Sequence, residues 1–467
     1  MSYQATIRSE RFAFADLREL LGRASEEKSG DQLAGVAAHS HRQRAAAKVA
    51  LADVPLSDFL ANPILCPDDD AVSAALLADQ DASLFRSFAS LTVGELRETI
   101  LGDEITPAQI ASLGRALLPE MAAAVAMLMS SKDLVYAASR LRVITRCRNT
   151  MGQPGVLGAR IQPNHPADDV GAILLAAVEG LVLGSGDAVI GVNPATESVE
   201  TVGSILGTLD RLITTADIPT QACCLAHITT QLAALEKGAP VDLLFQSIAG
   251  TEAANRSFGI DLALLAEGRE RVLRHHHQRG GFLPNHQVMY FETGQGSALS
   301  AEANHGIDQL TCEARAHGVA RLYDPFLVNS VVGFIGPEYL ANERQITRAG
   351  LEDHFIGKLL GLPMGVDVCY TNHADADQNS AENLLLLLTA AGCNYFMGVP
   401  CSDDVMLNYQ STSHHDIATA RRLFGLKPAP EFAGWLEGRG LGLGLATSVD
   451  FRLDRNVRLL LADAGLS

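Results

Sequence analysis

The sequence has a single tryptophan, no C-x-x-C pair among its eight cysteines and far fewer basic residues than acidic ones. Each shortage excludes something. Cys66, Cys147, Cys223, Cys224, Cys312, Cys369, Cys393 and Cys401 show neither metal-ligand nor thioredoxin-like spacing, and most sit in apolar surroundings, so they read as the reduced thiols of a cytoplasmic protein. With 36 Lys and Arg against 54 Asp and Glu the formal charge is −18, which disfavours a grip on phosphate backbones or anionic lipid; neither nucleic acid nor membrane is expected as a partner. The longest apolar patch, Ala172 to Leu183, carries Glu179 and is too short to span a bilayer. Met1 to Arg18 alternates polar and apolar residues, without the basic start, apolar run and small-residue cleavage site of a secretory leader. What remains, 47% hydrophobic and 19% charged residues, is the balance of a soluble globular chain. Its length suits two or three domains, or one large barrel with additions.

The pattern along the chain changes once. Up to about residue 145 it reads as a helical region: Phe12 to Ala24, Val93 to Leu101 and Pro107 to Met129 carry apolar residues at helical spacing, and Thr106-Pro107 is a cap followed by a first-turn proline. From Gly155 short β-rich runs alternate with amphipathic helical ones. Eight strands are expected, at Val156 to Ile161, Ala188 to Val192, Gln221 to Ala226, Asp242 to Gln246, Val288 to Phe291, Arg321 to Phe326, Gly365 to Tyr370 and Asn394 to Val399. Eight βα units over about 250 residues predict an α/β fold, a (β/α)8 TIM barrel over 146–402, followed by a helical tail over 403–467 with a glycine-rich loop at Gly438 to Gly444. A doubly wound open sheet is the structural alternative. The strand ends favour the barrel, because Arg160, Gln162, Asn193, His227, Gln246, Glu292, Asp324, Asn329, Asp367, Asn372 and His373 would be wasteful in a core. At the C-terminal face of a barrel they converge.

Several motifs have plainer readings. Gly184-Ser185-Gly186 precedes a strand, so it is a helix-to-strand turn and not a dinucleotide fingerprint. Gly294-Gln295-Gly296 follows a strand, as close backbone approach to a ligand requires, but lacks the third glycine. His275-His276-His277 reads as a solvated run, since consecutive helix residues point apart. His373, Asp375 and Asp377 have spacing compatible with a hard cation, which leaves open a metal-dependent barrel lyase or aldolase. Glu352-Asp353-His354-Phe355-Ile356-Gly357 comes near the D-x-H-x-x-G motif of some cobalamin enzymes. Its first position is Glu and it lies within an apolar-periodic helix, so it is read as a chance grouping on a helix surface.

The strings GDAVIGVNP (186–194), YFETGQGSALSA (290–301), VVGFIGPEYL (331–340) and YTNHADADQN (370–379), with Gly155 to Asn164 and Gln246 to Glu252, resemble the large, catalytic subunits of ethanolamine ammonia-lyase. The resemblance runs from about Ser29 to Glu437 and is weakest at the termini; the histidine-rich stretch Arg269 to His286 is a longer loop than the family leads one to expect. It implies a (β/α)8 barrel whose mouth is capped by adenosylcobalamin with its own benzimidazole on the cobalt. It also implies a small-subunit partner, trimers of dimers of the large subunit, and radical deamination of ethanolamine to acetaldehyde and ammonia by a carbon–nitrogen lyase. Cytoplasmic placement follows, with enclosure in a bacterial microcompartment left open. The family's substrate site maps onto Arg160, Gln162, Asn193, Glu292 and Asp367, with Glu292, Arg160 and Asp367 catalytic; its cofactor site maps onto Pro194, Gln246, Ser300 and Met406, and no protein-held metal is implied.

Residue chemistry is compatible with that mapping. An amino alcohol presents an ammonium and a hydroxyl, which call for carboxylates such as Asp367 and Glu292 and a cationic donor such as Arg160. An ion-pair network at the barrel mouth would keep the same residues without chemistry. A non-catalytic, cofactor-holding subunit is the third reading.

Overall fold

Local polar signals decide where the helices begin, and short apolar runs mark the strands. In the computed structural model, which describes residues 3–406, 409–442 and 454–466, one sheet holds β1 (Gly158–Ile161), β2 (Val189–Val192), β3 (Ala222–Cys224), β4 (Leu244–Ser247), β5 (Met289–Thr293), β6 (Leu327–Val332), β7 (Met364–Val368) and β8 (Tyr395–Gly398). All paired neighbours are parallel. They follow the order β3-β2-β1-β8-β7-β6-β5-β4, and the two ends meet where the Leu243 amide donates to the Ala222 carbonyl at 3.3 Å. This is a (β/α)8 TIM-type barrel, as the strand count implied.

The surrounding helices start on side chains that take an otherwise orphaned amide, each cap being worth about 1 kcal/mol. Asp169 caps Val170–Val182, Ser198 caps Val199–Thr215, Asp261 caps Leu262–Arg279, Asp308 caps Gln309–Arg321, Asn342 caps Glu343–Leu359, Asp377 caps Gln378–Ala390 and Ser413 caps His414–Phe424. The last of these packs on β8 and β1, completing the eighth unit. Inside the barrel the absence of a side chain at Gly365 gives room to the ring of Tyr395, which a Cβ there would meet at 2.2 Å.

Several expectations need correction. Tyr3–Ile7 and Glu10–Phe14 form an antiparallel hairpin, so the alternation in Met1 to Arg18 is a strand signal and the helix begins only at Leu17. The run from Pro107 ends at Ala116 and a second helix starts at Pro119, because the residue before a proline is driven out of the helical region. Val93–Leu101 is a helix at the expected bounds, closed by a Thr92 and Glu95 capping box. The sixth strand lies at Leu327–Val332; Arg321 still belongs to a helix and Asp324 turns the chain at φ 46°. Gly184 and Gly186 take the positive φ of the turn expected there. The glycine-rich segment splits: Gly438 is in the helix Pro430–Arg439, Gly440 and Gly442 follow it, and Gly444 lies outside the described residues.

The histidine triple sits on the helix Leu262–Arg279, which occupies most of the stretch expected as a loop. His276 is buried and stacks on Phe282 with ring centroids 3.6 Å apart, so the run is not uniformly solvated. Glu352, Asp353 and His354 are all buried as well. Glu352 is held by Lys28 at 2.9 Å and Arg348 at 2.6 Å, Asp353 by Gln295 and Ser330 at 2.7 Å. The helix Glu343–Leu359 has no solvent face here because the N-terminal helices Ser131–Ser139 and Pro119–Met127, the second fully buried, pack over it. His354 therefore lies in the layer between barrel and N-terminal region. No described helix is long and apolar enough to cross a membrane.

Candidate active site at the barrel mouth

The C-terminal ends of the strands open into a cavity of about 800 Å3. Gln162, Asn193, Glu292 and Asp367 line it, with Ser247, Tyr409, Pro194, Ser300 and Met406 around them. Strand pleating explains who faces in. On β4, Phe245 and Ser247 reach the cavity, whereas Gln246 between them turns outward and its Oε1 accepts the Ile228 amide at 2.9 Å. Asp324 lies at the opposite end of its strand, within 3.5 Å of Gln287, and Asn372 and His373 are exposed. His227 caps the helix Ile228–Glu236. These four are not brought to the cavity.

Arg160 is 1% exposed and sits just beneath the wall. Its Nη1 donates to Glu292 Oε1 at 2.6 Å and to the Tyr290 hydroxyl at 2.5 Å, and its Nη2 donates to Gln162 Oε1. Burial alone would lower the guanidinium's affinity for its proton, but Tyr290 and Glu292 more than reverse that, so the charge is permanent. Glu292 Oε1 also accepts from the Tyr290 hydroxyl at 2.8 Å and from Asn329 Nδ2 at 3.1 Å. From Gln162 the network continues: its Nε2 donates to Asp404 Oδ2 at 2.6 Å and to the Tyr409 hydroxyl at 3.0 Å. Asn164 donates to Asp404 Oδ2 at 2.9 Å and accepts the Asn193 amide at 2.8 Å, so β1 and β2 are tied together at the rim.

Asp367 is the second carboxyl. Its Oδ1 accepts from Ser411 Oγ at 2.7 Å and its Oδ2 from the Tyr409 hydroxyl at 3.1 Å. Burial pushes it up to about 7, and Glu292 adds to the rise against the opposing pull of Ser411, Arg160 and Tyr409. Among the described residues Arg160 makes no hydrogen bond to Asp367, and its ion pair is with Glu292. One carboxylate is thus neutralised in place, and the other is poised to take up charge when a cation arrives.

The segment carrying Tyr409 was expected to be part of a helical tail. Instead Asp403–Asp404 and Tyr409–Gln410 form short antiparallel strands with Tyr370–Thr371, and this flap brings Asp404 and Tyr409 over the site. Above it the wall is apolar, with Phe245, Phe258, Val331, Phe334 and Ile335 lining the cavity. Phe334 packs edge-on to Tyr409, ring centroids 5.4 Å apart, yet remains 41% exposed. Among the described residues no histidine lines the cavity, and no three of His, Cys, Asp and Glu are arranged to hold a metal ion. Asp377 is spent on capping a helix.

Residues 12–446 match the family described as ethanolamine ammonia lyase large subunit (EutB). The chain belongs to that family. It is 50% identical to the ethanolamine ammonia-lyase large subunit of Escherichia coli (strain K12) over 441 residues, 94% of this chain and 96% of that protein. Identity to the large subunit from Salmonella typhimurium (strain LT2) is 49% over the same shares. Membership of the ethanolamine ammonia-lyase family makes the mouth cavity the place to look for lyase chemistry, and the resemblance read from YFETGQGSALSA and GDAVIGVNP is the family found. Ser247, Tyr290, Asp404 and Tyr409 lie at or against the cavity and were not singled out by the sequence reading, whereas Asn329, named there among the strand-end polar groups, donates to Glu292.

Proposed function

We propose that the chain is the catalytic subunit that deaminates ethanolamine to acetaldehyde and ammonia, with adenosylcobalamin over the barrel mouth and a small subunit completing the cofactor site. The observation that carries this reading is the pairing at the cavity of an Arg-neutralised carboxylate, Glu292, with a carboxyl held near neutrality, Asp367, in a chain of this family. Substrate binding follows from charge. The ammonium of ethanolamine favours the ionised form of Asp367 and replaces the solvation that burial removed. Gln162, whose Nε2 is spent on Asp404 and Tyr409, and Asn193, whose backbone N–H is held by Asn164, offer side-chain oxygens that orient the chain of the substrate, and the Asn193 side-chain amide adds a donor. Arg160, on the floor between Gln162 and Glu292, supplies the positive field toward which the substrate hydroxyl points.

The residues at the mouth fit the cofactor. Its upper wall is apolar with a partly exposed phenylalanine, Phe334, against which a broad ring system could lie, and the histidine of the cobalamin-like motif, His354, is buried away from it. Pro194, Ser300 and Met406 are at hand to hold it; Gln246 would act through its backbone or the outer rim, with Ser247 presenting the inward side chain. Adenosylcobalamin would supply the carbon radical that removes hydrogen from the carbinol carbon. The protein's share is to hold the substrate beneath it, to exclude water with Phe245, Phe258 and Phe334, and to move protons at Glu292 as the amino group leaves. Trimers of dimers of the large subunit and a cytoplasmic location belong to the same proposal.

The test is co-expression with the cognate small subunit and an acetaldehyde assay in which ethanolamine, small subunit and adenosylcobalamin are each omitted in turn. Turnover that needs all three supports the reading. Cobalamin binding without turnover in the complete mixture would reassign the chain as a cofactor-holding subunit.

A further inference from the structure

Glu292 Oε1 already accepts from Arg160, Tyr290 and Asn329. An oxygen so occupied has little left to offer, so Oε2 is the atom left for substrate. What keeps it there is not obvious from the ion pair alone. Arg160 reaches Glu292 through Nη1 only, its Nη2 being committed to Gln162, so the bidentate geometry that would fix a carboxylate plane is missing. The last torsion of a glutamate is broad and swings easily. The Tyr290 hydroxyl supplies the second point of attachment. It accepts from Arg160 Nη1 at 2.5 Å and donates to Glu292 Oε1 at 2.8 Å, touching both members of the pair.

Tyr290 is itself immobile. It lies two residues before Glu292 on β5, its ring is fully buried, and Phe245 meets it edge-on at 5.5 Å. The Arg160 guanidinium lies 5.5 Å from its ring centre. Burial, reinforced by Glu292 and opposed by Arg160, holds the phenol's proton well above the usual range, so it stays a donor. It does not line the cavity.

We propose that Tyr290 is a positioning residue for the reaction: its hydroxyl locks the Arg160–Glu292 pair so that the free carboxylate oxygen of Glu292 faces the substrate. The inference rests on the function proposed above. Its test is Tyr290→Phe in the complex with the small subunit and adenosylcobalamin, since the ring that packs is kept and only the hydroxyl goes. Expected is a kcat lower by roughly ten- to hundred-fold, the range for one hydrogen bond to a charged group, with KM within about threefold of wild type. Thermal unfolding should shift by no more than about 2 °C, because the loss of one hydroxyl is small against the unfolding entropy of a chain of 467 residues. Because the hydroxyl acts through Glu292, adding Tyr290→Phe to Glu292→Gln should cost less than about threefold more. A wild-type kcat in the Phe variant overturns the proposal. So does a raised KM at constant kcat, a full loss on top of Glu292→Gln, or a fall in unfolding temperature large enough to account for the lost activity. Absence of acetaldehyde from the wild-type complex would instead sink the proposed function itself.

Discussion

Replacing Asp367 by Asn separates charge from shape at the mouth. Asp367 is buried, accepts from Ser411 at 2.7 Å and from Tyr409 at 3.1 Å, and an amide can keep one of these bonds while the other hydroxyl rotates to accept. The variant should therefore fold. What it loses is the charged acceptor for the substrate ammonium, a bond worth about 1.5 to 3 kcal/mol, which corresponds to roughly ten- to 150-fold in kcat/KM. The loss should depend on pH in a definite direction. Asp367 holds its proton up to about 7, so at pH 8 the wild-type carboxylate is ionised and the full penalty of the Asn variant shows. At pH 6 the wild type is itself mostly protonated, and the gap should shrink by about tenfold, one pH unit below the midpoint being a tenfold change in ionised fraction. The assay is acetaldehyde release coupled to NADH oxidation, run across pH 6–8 on both complexes with the small subunit and adenosylcobalamin. Equal kcat/KM at pH 8, or a penalty that does not change with pH, would refute the assignment of Asp367 to the ammonium.

The chain without its small subunit should give little or no acetaldehyde from ethanolamine even when adenosylcobalamin is saturating; full turnover by the isolated chain would remove the partner from the cofactor site. Asp31 and Asp353 are each pushed up to about 7, burial being the main cause, so their contribution to stability is fully present below the unfolded value near 4 and is lost as pH rises toward 7. Asp353→Asn mimics the protonated form, accepting from Gln295 and donating to Ser330, and should gain on the order of 2 kcal/mol relative to wild type between pH 5.5 and 8. Denaturant unfolding of both proteins at the two pH values checks this, and parallel pH profiles would contradict it.

The barrel was legible because each βα unit repeats the same signal, a β-rich run of three to six residues followed by an amphipathic helix. The sixth strand escaped because Asn329 and Ser330 interrupt its apolar run, while Leu322 and Tyr323 ahead of it imitate a strand start. Those two polar residues are there for function and packing: Asn329 donates to Glu292, Ser330 to Asp353. At the N-terminus the hairpin Tyr3–Phe14 left its alternation in the sequence, and it is missed when the helical reading of the residues after it is carried back over it. The cavity residues Gln162, Asn193, Glu292 and Asp367 were readable through their motifs, but parity along a strand is invisible until the pairing is known, which is why Gln246 was named and the inward Ser247 was not. Tyr409 reaches Asp367 across 42 residues, through a flap whose short strands carry no periodic signal. The buried run Glu352–Gly357 looked like a surface because it carries two acidic residues, but Glu352 is paired by Lys28 and Arg348, the first of them far away in sequence, and Asp353 is held by Gln295 and Ser330.

The most direct test is the rate of acetaldehyde formation by Glu292→Gln in the fully assembled complex, with cobalamin binding measured on the same sample. Glutamine keeps the shape and the acceptor for Arg160, Tyr290 and Asn329 but cannot move a proton. A rate lower by roughly 10²-fold to 10⁴-fold, with cobalamin still bound, is the expected result. A rate near that of the wild type would contradict it and move the acid–base role away from Glu292.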